Sequence, residues 1–213
     1  MISDETNILP EFTRLDDGSL EISYDNVRLA ETVFALHHAK DNNLLRITIN
    51  SLRYDYSNTS IEAVITAINK TNSTHIRNET EKPAIANSIF QQCHTFHDLT
   101  QQLLETNDNG EPLYPLVTLI RELHTPDNII RNNYSFATKF CHYCCYYLFE
   151  DDISRDKYPI YDSIVSKYIN KYYNNEGIDL SDYPAYVALI NNILEGTNIS
   201  KNGFDHLIWL AER

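Results

Sequence analysis

The sequence predicts a mainly α-helical fold, a multi-helix globular chain of two helical lobes with a cleft between them. Three observations predict it. Only 5 glycines and 7 prolines occur in 213 residues, too few for a turn-rich β architecture. Hydrophobic residues make up 42% and charged residues 22%, the balance of a chain that folds around a core. Apolar residues recur at spacings of three and four, as in Ile61, Val64, Ile65 and Ile68, which places them on one face of a helix.

Taken in order, residues 1–25 form a polar N-terminal segment, with a turn at Asp17-Gly18 and a short strand over Leu20–Tyr24. Asn26 is placed to cap a helix over Val27–Ala39, with Leu29, Val33 and Leu36 on one face. Leu44–Leu52 fits two readings. Arg46–Asn50 alternates like a strand, whereas Leu45, Ile49 and Leu52 have helical spacing. Ser60 is placed to cap a helix over Ile61–Lys70, and a polar linker follows at 71–82. Lys82–Thr106 reads as one long helix or a helix pair with Ile85, Ile89, Phe96, Leu99 and Leu103 inward. Asn107-Asp108-Asn109-Gly110 ends it, and the boundary between the lobes, 26–106 and 113–213, falls at 107–112.

Beyond it come helical segments over Leu113–His124 and Asn128–Arg131, then a helix over Tyr134–Phe149 with a wet start and an aromatic body. Glu150–Lys157 reads as a charged loop. Pro159 is then expected in the first turn of a helix running to about Tyr173, where its missing N–H costs nothing. Asn174–Gly177 stops that helix, and Ser181–Glu195 and Gly203–Glu212 are the last two helices.

Lys and Arg total 17 against 30 Asp and Glu, a formal net charge of −13. Nucleic-acid binders draw affinity from phosphate contacts with basic faces, so the average charge opposes general DNA binding. It leaves room for a local basic strip of Arg131, Arg155, Lys157, Lys167 and Lys171. No run reaches the roughly 18–20 apolar residues of a membrane span. The first residues, MISDETNILPEF, lack a basic start and an apolar signal core, so the expected location is the cytoplasm.

Cys141-x-x-Cys144, with Cys93, His94 and His97, has the residue types of a zinc set. The cysteines are, however, embedded in FCHYCCYYLF without the glycines and turn of a zinc knuckle. They read as small core hydrophobes, with His142 as a polar edge of the same helix. No metal and no cofactor is expected. The dense tyrosines from 143 to 173 fit either a packed core with hydroxyls reaching the surface or a surface that stacks on bases.

Chemistry concentrates in Ser135–Ser163. Lys139 lies among Phe136, Phe140 and Tyr143 near a helix start, and Asp162 follows a proline at the next one. An amine attacks a sugar C1′ only when unprotonated, and burial near a helix N-terminus favours that form. A carboxylate beside it takes a proton or stabilises a cationic sugar-like transition state. The plainer reading is a solvated lysine and a helix-start carboxylate without a catalytic role.

Ser135-Phe136-Ala137-Thr138-Lys139, the small and apolar helix after it, and Pro159-Ile160-Tyr161-Asp162 together resemble the helix-hairpin-helix DNA glycosylase superfamily, nearest to its bifunctional 8-oxoguanine glycosylase/lyase branch. Ser135 and Ala137 stand at the two hairpin glycine positions of that family, and one extra residue separates Pro159 from Asp162. The resemblance implies Lys139 as Schiff-base nucleophile and Asp162 as catalytic carboxylate. It places Ser135, Ala137, Tyr161 and Ser163 against the substrate, and makes the partner double-stranded DNA with a flipped base. The alternative function is a non-catalytic acidic helical protein that binds a protein partner, in a mobile-element or host-defence setting.

Overall fold

In the computed structural model, which describes residues 10–72, 74, 76, 80–122, 133–173 and 177–213, the first helix starts at Ser23 rather than Asn26. Ser23 Oγ accepts the Asn26 N–H and caps α1, Tyr24–His37. Asn26 is buried and does a different job. Its Oδ1 accepts the Thr13 N–H at 3.0 Å, and its Nδ2 donates to the carbonyls of Thr13 and Glu21. The expected strand at 20–24 is therefore a tied-down extended segment, with an isolated bridge between Arg14 and Leu20.

The ambiguous segment is helical: α2 spans Ala39–Ser51 and buries Leu45 and Ile49, one turn apart. The next helix, α3, Asn58–Asn72, starts before Ser60 because Ser57 Oγ accepts the Ser60 N–H; the Ser60 hydroxyl turns to Asp55. The stretch from Lys82 is a helix pair, α4, Glu81–Gln92, and α5, Phe96–Leu104. Between them Thr95 and Asp98 close a capping box, each side chain accepting the other's N–H. Asn107 Oδ1 accepts the N–H groups of Asn109 and Glu111, and Gly110 takes a φ of +80° that a side chain would oppose.

After α6, Pro115–Arg121, the expected segment at 128–131 lies outside the described residues. Next comes α7, Tyr134–Leu148, of whose fifteen residues twelve are buried. The wet start expected for it is corrected: a helix that is apolar nearly all round sits at the centre. Within the expected charged loop, Asp151 caps one short turn, α8, Asp152–Arg155. The last helices are α9, Ser163–Tyr172, α10, Tyr183–Leu194, and α11, Lys201–Glu212. Residues 174–176 of the expected stop lie outside the described residues.

The described residues thus form eleven helices and no strand. Helices α2, α3, α6 and α8 pack on α7; α3 also packs on α4, and α11 on α1 and α9. The contacts of α2 with α7, α4 with α6 and α1 with α11 all cross the boundary expected at 107–112. Among the described residues no helix is long and apolar enough to cross a membrane.

Candidate functional site

The site rests on an extended stretch, residues 158–162, that corrects the expected helix start. Pro159 lies outside α9, and Asp162, at φ −144° and ψ 179°, is its N-cap. A buried extended chain without a sheet must find other hydrogen-bond partners. Here side chains of the surrounding helices supply them one by one. His142 Nδ1 donates to the Tyr158 carbonyl at 2.8 Å, and the Tyr183 hydroxyl donates to Pro159 O at 2.9 Å. The Tyr186 hydroxyl donates to Ile160 O at 2.6 Å, and the Tyr161 N–H donates to Thr138 Oγ1 at 3.1 Å. His142, expected at a polar edge, is 1% exposed because it carries this load, and burial lowers its pKa. Much of the tyrosine cluster has the same duty. Tyr158, Tyr183 and Tyr186 are buried with hydroxyls on backbone carbonyls.

Asp162 emerges from this clamp with one oxygen committed to the backbone: Oδ1 accepts the N–H groups of Ile164 and Val165 at 2.9 and 3.0 Å. Its Oδ2 lies 3.4 Å from Lys139 Nζ. Lys139 comes from the second turn of α7, and both residues are 8% exposed. They share the wall of a cavity of about 450 Å³, which Ser135 and Ser163 also line. The structure therefore brings four of the six expected site residues together. Ala137 is fully buried and Tyr161 stacks on Tyr134 at 4.3 Å between centroids; neither is among the lining side chains. Ser135 and Ala137 belong to the first turn of α7, and the Ala137 N–H is already bonded to Asn133 O.

The rest of the wall was not legible as a site. From α11 come Asp205, Trp209 and Arg213, and from the junction of α1 and α2 come Phe34 and His38. Phe34 is sandwiched between His206, at 3.8 Å, and His38, at 4.5 Å, and Trp209 meets both Phe34 and His38 edge-on. The Arg213 guanidinium lies 4.3 Å over Trp209. Tyr143 reaches across to donate to Asn72 Oδ1 at 2.8 Å. Asp205 Oδ1 is sealed from solvent and has no hydrogen-bond partner. Burial, helped by the Asp162 charge and opposed by Lys139, raises its pKa to about 8. Burial likewise lowers His206 to about 3, with His142 and His38 adding to the effect. A sequence signal did exist: Asp205 and Trp209 are one turn apart on the same helix.

Lys139 and Arg213 stand on the cavity wall with Asp162 and Asp205. Three of the basic residues expected to form a strip are engaged elsewhere. Arg155 lies over Tyr146 and donates to its carbonyl, Lys157 Nζ donates to Glu105 O, and Lys171 lies over Tyr172. Arg131 is outside the described residues.

A second hollow of about 590 Å³ lies between α8 and the start of α11. Its polar groups are occupied with structure, since Asp156 accepts the N–H groups of Lys201 and Asn202 and its carbonyl accepts Lys201 Nζ. All four cysteines are buried free thiols. Burial raises those of Cys141, Cys144 and Cys145, which makes them poor nucleophiles and metal ligands. Among the described residues no group of three or more metal-ligating side chains is present.

No curated protein and no solved structure matches the chain. One family model does, over residues 28–148, a span that runs from α1 to the end of α7 and includes Lys139 but stops short of Asp162 and Asp205. That span is more than half of the chain, which therefore belongs to the family described as HI_0787_N, N-terminal domain.

Proposed function

We propose that the protein is a base-excision DNA glycosylase/lyase, acting in the cytoplasm on a modified or damaged base flipped from a duplex. Its nucleophile is Lys139 and its catalytic carboxylate is Asp162. The observation that carries this reading is the 3.4 Å contact between Lys139 Nζ and Asp162 Oδ2 on the wall of one cavity. Its volume of about 450 Å³ is within the range of small-molecule sites, roughly 300–1,000 Å³. Trp209 on the cavity wall gives it an aromatic surface that a flipped base stacks on. Asp162 Oδ2 takes the proton from the Lys139 ammonium. The free amine then attacks C1′, the base departs, and the resulting adduct opens to an imine from which strand cleavage follows.

The second reading, a non-catalytic acidic protein with a protein partner, is favoured by the net charge of −13. Borohydride trapping separates the two. Purified protein is incubated with duplexes carrying an abasic site or 8-oxoguanine, beside Lys139→Gln. The glycosylase reading expects a covalent adduct with the native chain and none with the variant. No adduct on either duplex, together with no salt-sensitive DNA binding, leaves the interaction protein.

A further inference from the structure

We infer that Asp205 is a third catalytic residue of this cavity, the acid that protonates the departing base. The inference rests on the glycosylase/lyase reading and adds a step that Lys139 and Asp162 do not cover. Expulsion of a base leaves an electron pair on its nitrogen, and a proton delivered there lowers the barrier. Asp162 is badly placed to deliver it: Oδ1 is held by two N–H groups and Oδ2 faces Lys139. Asp205 is the other carboxyl on the cavity wall, one helical turn from Trp209, the expected stacking surface. Its Oδ1 is buried without a partner, an arrangement that is costly for a carboxylate and tolerable for a neutral acid.

The surroundings keep it neutral. Lys139 and Tyr143 face it from α7, Asp162 from the start of α9, Tyr186 from α10 and His38 from the start of α2, with His206 and Arg213 on its own helix. Lys139 and Asp162 offset one another, and burial decides the outcome, with a pKa of about 8. Two carboxyls in one cavity thus take different roles, Asp162 bonded to backbone N–H groups and facing Lys139, and Asp205 with Oδ1 buried and unpartnered. In the step itself, the neutral Lys139 amine forms a bond to C1′ and the bond from C1′ to the base nitrogen breaks. The electron pair leaves with the base, which takes the Asp205 proton. Lys139, now a secondary ammonium, returns a proton to the Asp205 carboxylate and restores the acid.

The test exploits the fact that an abasic site has no base to expel. Asp205→Asn and the native chain are compared in 8-oxoguanine release and in borohydride trapping on abasic duplex, across pH 6 to 9. The expected result is base release reduced about 10²- to 10⁴-fold with a far smaller change in abasic trapping, and a fall in native activity above about pH 8 that the variant lacks. Native base release in the variant overturns the inference, as does a parallel loss of both activities, which is the signature of a structural role. Independently of any substrate, ¹³C-carboxyl NMR on the native chain should show Asp205 titrating near pH 8; titration near 4 also overturns it. Absence of any adduct with the native chain is a different failure, that of the glycosylase reading itself, and the inference falls with it.

Discussion

Asp205 and His206 are adjacent, both partly buried, and shifted in opposite senses, to about 8 and about 3, because burial favours the uncharged form. Their effects on stability differ in sign and window. Asp205 keeps in the folded state a proton that the unfolded chain releases above its ordinary value of 3.8. The stability this contributes is complete below that value and is lost as pH rises towards 8, at about 1.4 kcal/mol per unit. His206 acts oppositely, with stability lost as pH falls from its ordinary 6.5 towards 3. Asp205→Asn removes only the first effect. The melting temperature of the variant should therefore rise relative to the native chain from pH 4 to pH 8 and run parallel above it, as read by thermal scans. A pH-independent difference would show that the carboxyl is ionised throughout. At this scale Lys139 and Asp162 were legible because of the motif around them. Asp205 was not, because an aspartate on an amphipathic helix acquires its meaning only from what α7 and α9 place opposite it.

At the scale of elements, the least regular piece matters most. Residues 158–162 have no helix or sheet to satisfy their backbone, and His142, Tyr183, Tyr186 and Thr138 each hold one peptide group in turn. Tyr186→Phe should leave the Ile160 carbonyl buried and unpaired, costing about 1–3 kcal/mol in urea denaturation and loosening the Asp162 side of the ion pair. Denaturation indistinguishable from the native chain would show that the clamp is redundant. The sequence suggested Pro159 inside α9 because proline is at home in a first helical turn. The tertiary partners of the three carbonyls outweigh that preference and hold the segment extended. Local preference failed for a similar reason at Asn26, whose side chain serves Thr13 and Glu21 across space rather than the helix beside it.

At the scale of the whole molecule, α11 packs on α1 and α9 and so brings the end of the chain to its beginning. A close approach occurs at Gly203, where an added Cβ would stand 2.6 Å from Val27 Cγ1 and 3.2 Å from Glu31 Oε1. Gly203→Ala should cost about 1–3 kcal/mol through overpacking, and Val27→Ala in the same chain should recover part of it. An undisturbed denaturation midpoint in the single variant would mean that the two helices separate freely. Because α11 also carries Asp205, Trp209 and Arg213 to the cavity, a shift there should weaken substrate trapping as well as stability.

The helical class, most helix positions and the buried cysteines were determined by the sequence alone, which offered the Lys139–Asp162 pairing as one of two readings. Each depends on periodicity, composition or a short motif, which act over a few residues. The tertiary structure decided the rest: the central burial of α7, the extended clamp ahead of α9, and the aromatic and acidic wall from α1 and α11. Those features depend on groups as far apart as Phe34 and His206, which stack at 3.8 Å. Contacts between distant segments leave no local pattern, and burial, which sets the protonation of Asp205, is a property of everything packed around it.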